Sequence, residues 1–247
     1  MNNALLEKIS TAWALATGRP LAFLPEPRTV PEDFPAFFPF VGLAIGVVCS
    51  LMSWIVFKLF GPLAGSFFSG ILVALVLEIV TGWSGFNGGA LFLMRFFPKA
   101  GEAAPDKFTA QPMFFGAVLF AVRAVMIAAV VQSGGAHWLT AVLLCAYFAR
   151  EELTAALTPS GVELIRAPRA ERKRGAVVGC MLILLFMLAS RRIWGSVGMF
   201  LLTWLTSWYL VRRAENGTLK IDRKAFDTAA YLIETTLLIL TAVFAHC

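Results

Sequence analysis

The chain has 247 residues, of which 59% are apolar and only 15% charged, with 21 Lys and Arg against 15 Asp and Glu. A soluble globule of this length needs a mostly polar shell, and a mean hydropathy of +0.77 over the whole chain leaves too little polar surface to build one. Composition therefore predicts an all-α, polytopic integral membrane helix bundle whose first partner is the lipid bilayer. The net charge of +6 reads as topology and not as a nucleic-acid footprint, because the basic residues sit in short loops between apolar runs.

Residues 1–35 form an N-terminal segment that does not read as a secretory signal. Glu7 and Lys8 interrupt its apolar run, and Pro20, Pro25, Pro27 and Pro31 follow. Leu6, Ile9, Trp13 and Leu15 share roughly one helical face, which suits an amphipathic helix in the membrane interface and a helix docked on the bundle equally well.

A membrane helix needs about 20 largely apolar residues to cross about 30 Å of hydrocarbon. Residues 36–247 then read as one membrane domain with seven such stretches. They are Ala36 to Phe57, Leu63 to Phe86, Met113 to Val131, Ala136 to Ala149, Gly175 to Ser190, Ile193 to Val211 and Ala225 to Ala245. The fourth and fifth are short, so six to eight spans are compatible with the pattern. Seventeen of the 21 basic residues fall in the N-terminal segment and in the loops after spans two, four and six. Lys58, Arg191 and Arg192 alone fall on the other side, and Arg123 lies within span three. Cytoplasmic loops collect Lys and Arg, so the N-terminus is expected in the cytoplasm of a multi-pass inner-membrane protein.

Four ionisable residues interrupt the spans: Glu78, Arg123, Asp227 and Glu234. Each costs at least about 2.5–3.5 kcal/mol to insert at the bilayer centre, so each needs a partner or a use. Arg123 pairing with Glu234 or Glu78 is one reading, and a polar pocket opening to the cytoplasm is the other. Asp227 and Glu234 stand two helical turns apart, so both project from one face with Tyr231 between them. The run from Thr81 to Gly89 is rich in turn formers, and open N–H groups there would suit an anion. Gly42 and Gly46, like Gly85 and Gly89, have the spacing of close helix packing. Trp54, Trp83, Trp138, Trp194 and Trp208 fall near span ends, as interfacial anchors do. Cys49, Cys145, Cys180 and Cys247 are scattered singly and read as apolar filler. His137 and His246 are too few for a histidine metal cluster, and no soluble-enzyme motif occurs.

The order of several short segments resembles the cobalamin synthase (adenosylcobinamide-GDP ribazoletransferase) family. Phe38-Pro39-Phe40-Val41-Gly42-Leu43-Ala44-Ile45-Gly46 is similar to the family's opening F-P-x-x-G-x-x-x-G, and Ala16 to Pro20 to its short T-R-x-P segment. Thr81-Gly82 falls where the family has an acid-rich T-G-G-x-H-L-D-G motif, and Phe226-Asp227-Thr228-Ala229-Ala230 resembles its G-D-x-x-G-A segment. Arg150 matches a family arginine.

The resemblance implies a membrane transferase that joins adenosylcobinamide-GDP to α-ribazole or its 5′-phosphate and releases GMP. It implies Asp227 and Glu234 as catalytic residues, with Asn87, Gly88, Arg150 and Thr228 on the substrate. Asp227, Glu78 and Asn87 would hold Mg²⁺, a hard ion that prefers oxygen donors. The pattern is broken where the family places its acids. Gly85 stands in place of the motif His, and Asn87, Leu91 and Met94 in place of three Asp. Leu91 and Met94 offer no side-chain oxygen, so the alternative is a non-catalytic paralogue acting as a membrane binding or accessory protein for corrinoid precursors, lipids or a partner enzyme.

Overall fold

The computed structural model describes residues 3–17, 34–83, 86, 90, 110–154, 181, 193–216 and 223–244. The described elements are helical. They are α1 (Asn3–Thr17), a 3₁₀ turn (Phe34–Phe37), α2 (Phe38–Val80), α3 (Ala110–Gly134), α4 (His137–Thr154), α5 (Ile193–Glu215) and α6 (Arg223–Phe244). The fifth expected span, Gly175 to Ser190, lies outside the described residues apart from Met181.

At 43 residues α2 would be far longer than a bilayer is thick, and it does not run straight. Gly61 has φ 78° and ψ −178°, a conformation open to glycine, and Pro62 begins the next helical stretch. The chain folds back there into two antiparallel arms of about 20 residues each, the length that hydrocarbon asks for. Two contacts establish the fold-back. Gly65 meets the Phe57 backbone, and the Ser69 hydroxyl donates to the Ser53 carbonyl at 3.2 Å. The two arms correspond to the first two apolar stretches of the sequence.

Small residues let these arms approach their neighbours. A Cβ added at Gly42 would lie 2.6 Å from the Tyr147 Cβ, and one at Gly46 2.8 Å from the Thr140 Cα, so the first arm lies directly on α4. Ser50 adds hydrogen bonds to the Ala136 carbonyl at 2.7 Å and to the Thr140 hydroxyl at 2.8 Å. The second arm meets α3 the same way, with Gly70 against the Ala124 carbonyl. Helices in lipid associate through such close packing, since apolar surface alone gives no preference for protein over lipid.

α4 is the central helix, with every residue from Trp138 to Arg150 buried. That position accounts for its short apolar stretch, because a helix shielded by protein needs no lipid-compatible face. It also accounts for Trp138, which is 3% exposed and not the interfacial anchor its position in the sequence suggests. Trp54, Trp83 and Trp208 are exposed, as expected of anchors. Cys49 and Cys145 are buried and free, as expected of filler.

The outer surface is apolar. Leu51, Trp54 and Leu59 on the first arm, Leu63 and Phe67 on the second, and Met113 and Phe114 on α3 are all more than half exposed. Large apolar side chains outside and charges inside is the distribution of a membrane protein. Among the described residues, α2, Met113–Ser133 of α3 and Phe226–Val243 of α6 are long and apolar enough to cross a membrane.

α1 packs against the 3₁₀ turn and the start of α2. Its most buried positions are Ser10, Thr11, Ala12, Ala16 and Thr17, while Leu6, Ile9, Trp13 and Leu15 are only half-buried. The helix thus docks on the bundle through small buried side chains, with Trp13 and Leu15 packed against the core beside them.

Candidate functional site: a buried ionic cluster

Four charged side chains from four helical segments meet inside the bundle. Arg123 of α3 donates through Nη1 to Glu78 Oε1 of the second arm at 2.6 Å, and through Nη2 to Glu234 Oε1 of α6. Glu234 turns its other oxygen toward Arg150 of α4, whose Nη2 lies 3.8 Å away. Arg150 in turn donates through Nη1 to the Ala16 carbonyl at the end of α1, at 2.5 Å. None of the four is more than a few per cent exposed.

Such a cluster is neutral overall, two guanidiniums against two carboxylates. Removing a charge from water costs several kcal/mol, which is recovered only where geometry and hydrogen bonding are good. Arg123 meets that demand with its planar fork, one terminal nitrogen for each carboxylate. The pairing expected with either Glu78 or Glu234 is made with both.

Local structure aims Glu78. The second arm ends at Val80, and Thr81, Gly82 and Trp83 turn their N–H groups back to the Leu77, Ile79 and Glu78 carbonyls. Gly82 and Trp83 both take positive φ, 61° and 64°, which reverses the chain. Phe86 then donates its N–H to Glu78 Oε2 at 3.2 Å. Its ring lies against Gly116, where there is no room for a Cβ. The described N–H groups of this turn therefore cap the helix and hold Glu78, which leaves none of them for an anion.

Two tyrosines complete the cluster. The Arg123 guanidinium lies over the Tyr231 ring at 5.1 Å and the Arg150 guanidinium over the Tyr147 ring at 4.3 Å. Among the described residues neither buried hydroxyl has a hydrogen-bond partner, nor has Nε of Arg123 or Nε of Arg150.

The structure brings Glu78, Glu234 and Arg150 together through Arg123. Asp227 is half-buried two turns from Glu234 on the same side of α6, with Thr228 beside it, also half-buried. Asn87 and Gly88 lie outside the described residues. Among the described residues no group of three His, Cys, Asp or Glu is placed to hold a metal ion. Tyr147 escaped sequence reasoning because it sits in an apolar run. Its position three residues before Arg150, the spacing of helix neighbours, was the available signal.

No family model, curated protein or solved structure matches the chain.

Proposed function

We propose that the chain is a multi-pass membrane protein that binds a corrinoid precursor without transforming it, on a scaffold of the cobalamin synthase kind. The observation that carries this reading is the double grip of Arg123 on Glu78 and Glu234. Both carboxylates are already neutralised by a guanidinium, and the described donor set does not fit Mg²⁺. Transfer chemistry at a diphosphate draws on a divalent ion to neutralise the leaving oxygens. Leu91 and Met94, in place of two acids, add to the same side.

The proposed arrangement has seven spans across the inner membrane, with the N-terminus in the cytoplasm. The distribution of basic residues supports it, as does the division of α2 into two arms. Single cysteines placed near Lys58 and near Lys220 of a protein otherwise free of cysteine should react with a membrane-impermeant thiol reagent from opposite faces.

The second reading, an active ribazoletransferase, is favoured by one feature. Asp227 stands two turns from Glu234 on the same side of α6 and supplies a further carboxylate on that face. One experiment separates the two. Protein in lipid nanodiscs is incubated with adenosylcobinamide-GDP, α-ribazole and Mg²⁺. Binding predicts that corrinoid absorbance comigrates with the protein, with or without EDTA, and that no GMP appears. Mg²⁺-dependent GMP release selects the transferase, and absence of corrinoid binding defeats both.

A further inference from the structure

We infer that the paired tyrosines and guanidiniums form a subsite for a phosphate oxyanion within the cluster. This rests on the reading of the cluster as a binding site and names the part of a ligand it takes. Tyr147 and Tyr231 are at most 2% exposed, and among the described residues neither hydroxyl has a hydrogen-bond partner. Arg123 commits both terminal nitrogens, to Glu78 and Glu234, whereas Arg150 commits Nη1 to Ala16 and holds Nη2 3.8 Å from Glu234, beyond hydrogen-bond distance; among the described residues Nε of each has no partner.

The unpartnered atoms have one chemistry in common. Each Nε can only donate, and each phenol can donate, so the group that satisfies them together carries several acceptor oxygens. They also belong to one locality. Glu234 bonds one guanidinium and lies 3.8 Å from the other, and each guanidinium covers one tyrosine ring. Arg150 carries the weaker compensation, since its shortest bond is to a neutral carbonyl, and it has charge left to offer an anion. A phosphate group supplies negative charge and three or more oxygens, and pairs with arginine through parallel N–H bonds.

The oxyanion can belong to a free diphosphate or to a phospholipid headgroup. Two measurements on the full chain separate these sources. Protein in phosphatidylcholine nanodiscs is titrated with inorganic diphosphate, and detergent-purified protein is analysed by native mass spectrometry for retained phospholipid. Each is repeated with Tyr147→Phe, Tyr231→Phe and Arg150→Lys. The phenylalanine variants keep ring and packing, and the lysine keeps charge but lacks Nε, so thermal unfolding close to wild type certifies the fold. Saturable diphosphate binding weakened about tenfold by each variant is the expected result, one hydrogen bond to a charged group being lost each time. Retained phospholipid that the variants lose supports the subsite with a lipid as its occupant. Neither signal, or signals that the variants leave unchanged, overturns it. Diphosphate binding in a protein that ignores adenosylcobinamide-GDP would leave the subsite standing and remove the corrinoid reading. Corrinoid binding indifferent to all three variants would do the reverse.

Discussion

Arg123 and Glu234 join α3 to α6 across 111 residues of sequence, and the same guanidinium holds Glu78 of the second α2 arm. One side chain therefore ties three helical segments where the surrounding groups are largely apolar. Replacing Arg123 by Met leaves Glu78 buried without its cation and Glu234 with only Arg150 at 3.8 Å, and the expected loss is about 3–5 kcal/mol. The triple variant Glu78→Gln, Arg123→Met, Glu234→Gln removes all three charges and should recover much of that loss. Thermal unfolding in mild detergent, followed by circular dichroism, measures both. An Arg123→Met protein that melts with wild type would show that the tie carries no stability.

Helix contacts made through glycine give a second expectation. A valine at Gly42 would drive its Cβ against Tyr147 and the Leu143 carbonyl, and a valine at Gly70 would meet the Ala124 carbonyl. Neither neighbour is a flexible side-chain end, so the arm must lift away. Overpacking of this kind costs about 1–3 kcal/mol, and here it also shifts Tyr147 under Arg150. Gly42→Val should therefore lower both the melting temperature and diphosphate affinity. Gly70→Val, which acts at α3, should lower the melting temperature first. Equal melting of both variants and wild type would contradict the close approach.

Much of the bundle was legible in the sequence because hydropathy reports lipid contact directly. The apolar stretches foretold both α2 arms, α3 and α6 to within a few residues at most boundaries. Burial against protein was not legible in the same way. Trp138 and Tyr147 look alike in hydropathy whether they face lipid or the centre of the bundle, and only the placement of α4 decides. The docking face of α1 was missed for a related reason. Apolar bulk at Leu6, Ile9 and Trp13 suggested one face, whereas the deepest burial falls at Ser10, Ala12 and Ala16, whose small size permits close approach, with Trp13 and Leu15 packed at the edge of the core. The cost of burying charge required Arg123 to have a partner, but spacing alone did not say that Glu78 and Glu234 would share it.

The bond from Arg150 to the Ala16 carbonyl links the cluster to α1. Helix ends leave carbonyls without partners, and this one is met by a guanidinium from α4. Arg150→Gln shortens the side chain and removes its charge, so α1 should lose its hold while the rest of the bundle persists. A hydrogen bond to a charged group is worth about 1.5–3 kcal/mol, which corresponds to at least a tenfold faster amide exchange over residues 3–17. Hydrogen–deuterium exchange read by mass spectrometry gives this segment separately from α3 and α6. Uniform acceleration over all helices would mean that Arg150 supports the bundle and not α1 in particular.

Gly61 and Gly198 make a paired test of the hairpin, because a Cβ at either position meets nothing within 4 Å. Sterics between side chains are then absent from both, and backbone conformation alone separates them. At Gly61, φ of 78° with ψ near 180° belongs to a region that L-residues avoid, so Gly61→Ala should cost about 1–3 kcal/mol. Gly198 lies within helix α5, where alanine is the better helix former, so Gly198→Ala should gain up to about 1 kcal/mol. The same chemical change thus moves the melting temperature in opposite directions. Two variants shifted upward together would mean that the chain passes Gly61 as ordinary helix, and the two arms would then be one rod too long for a bilayer.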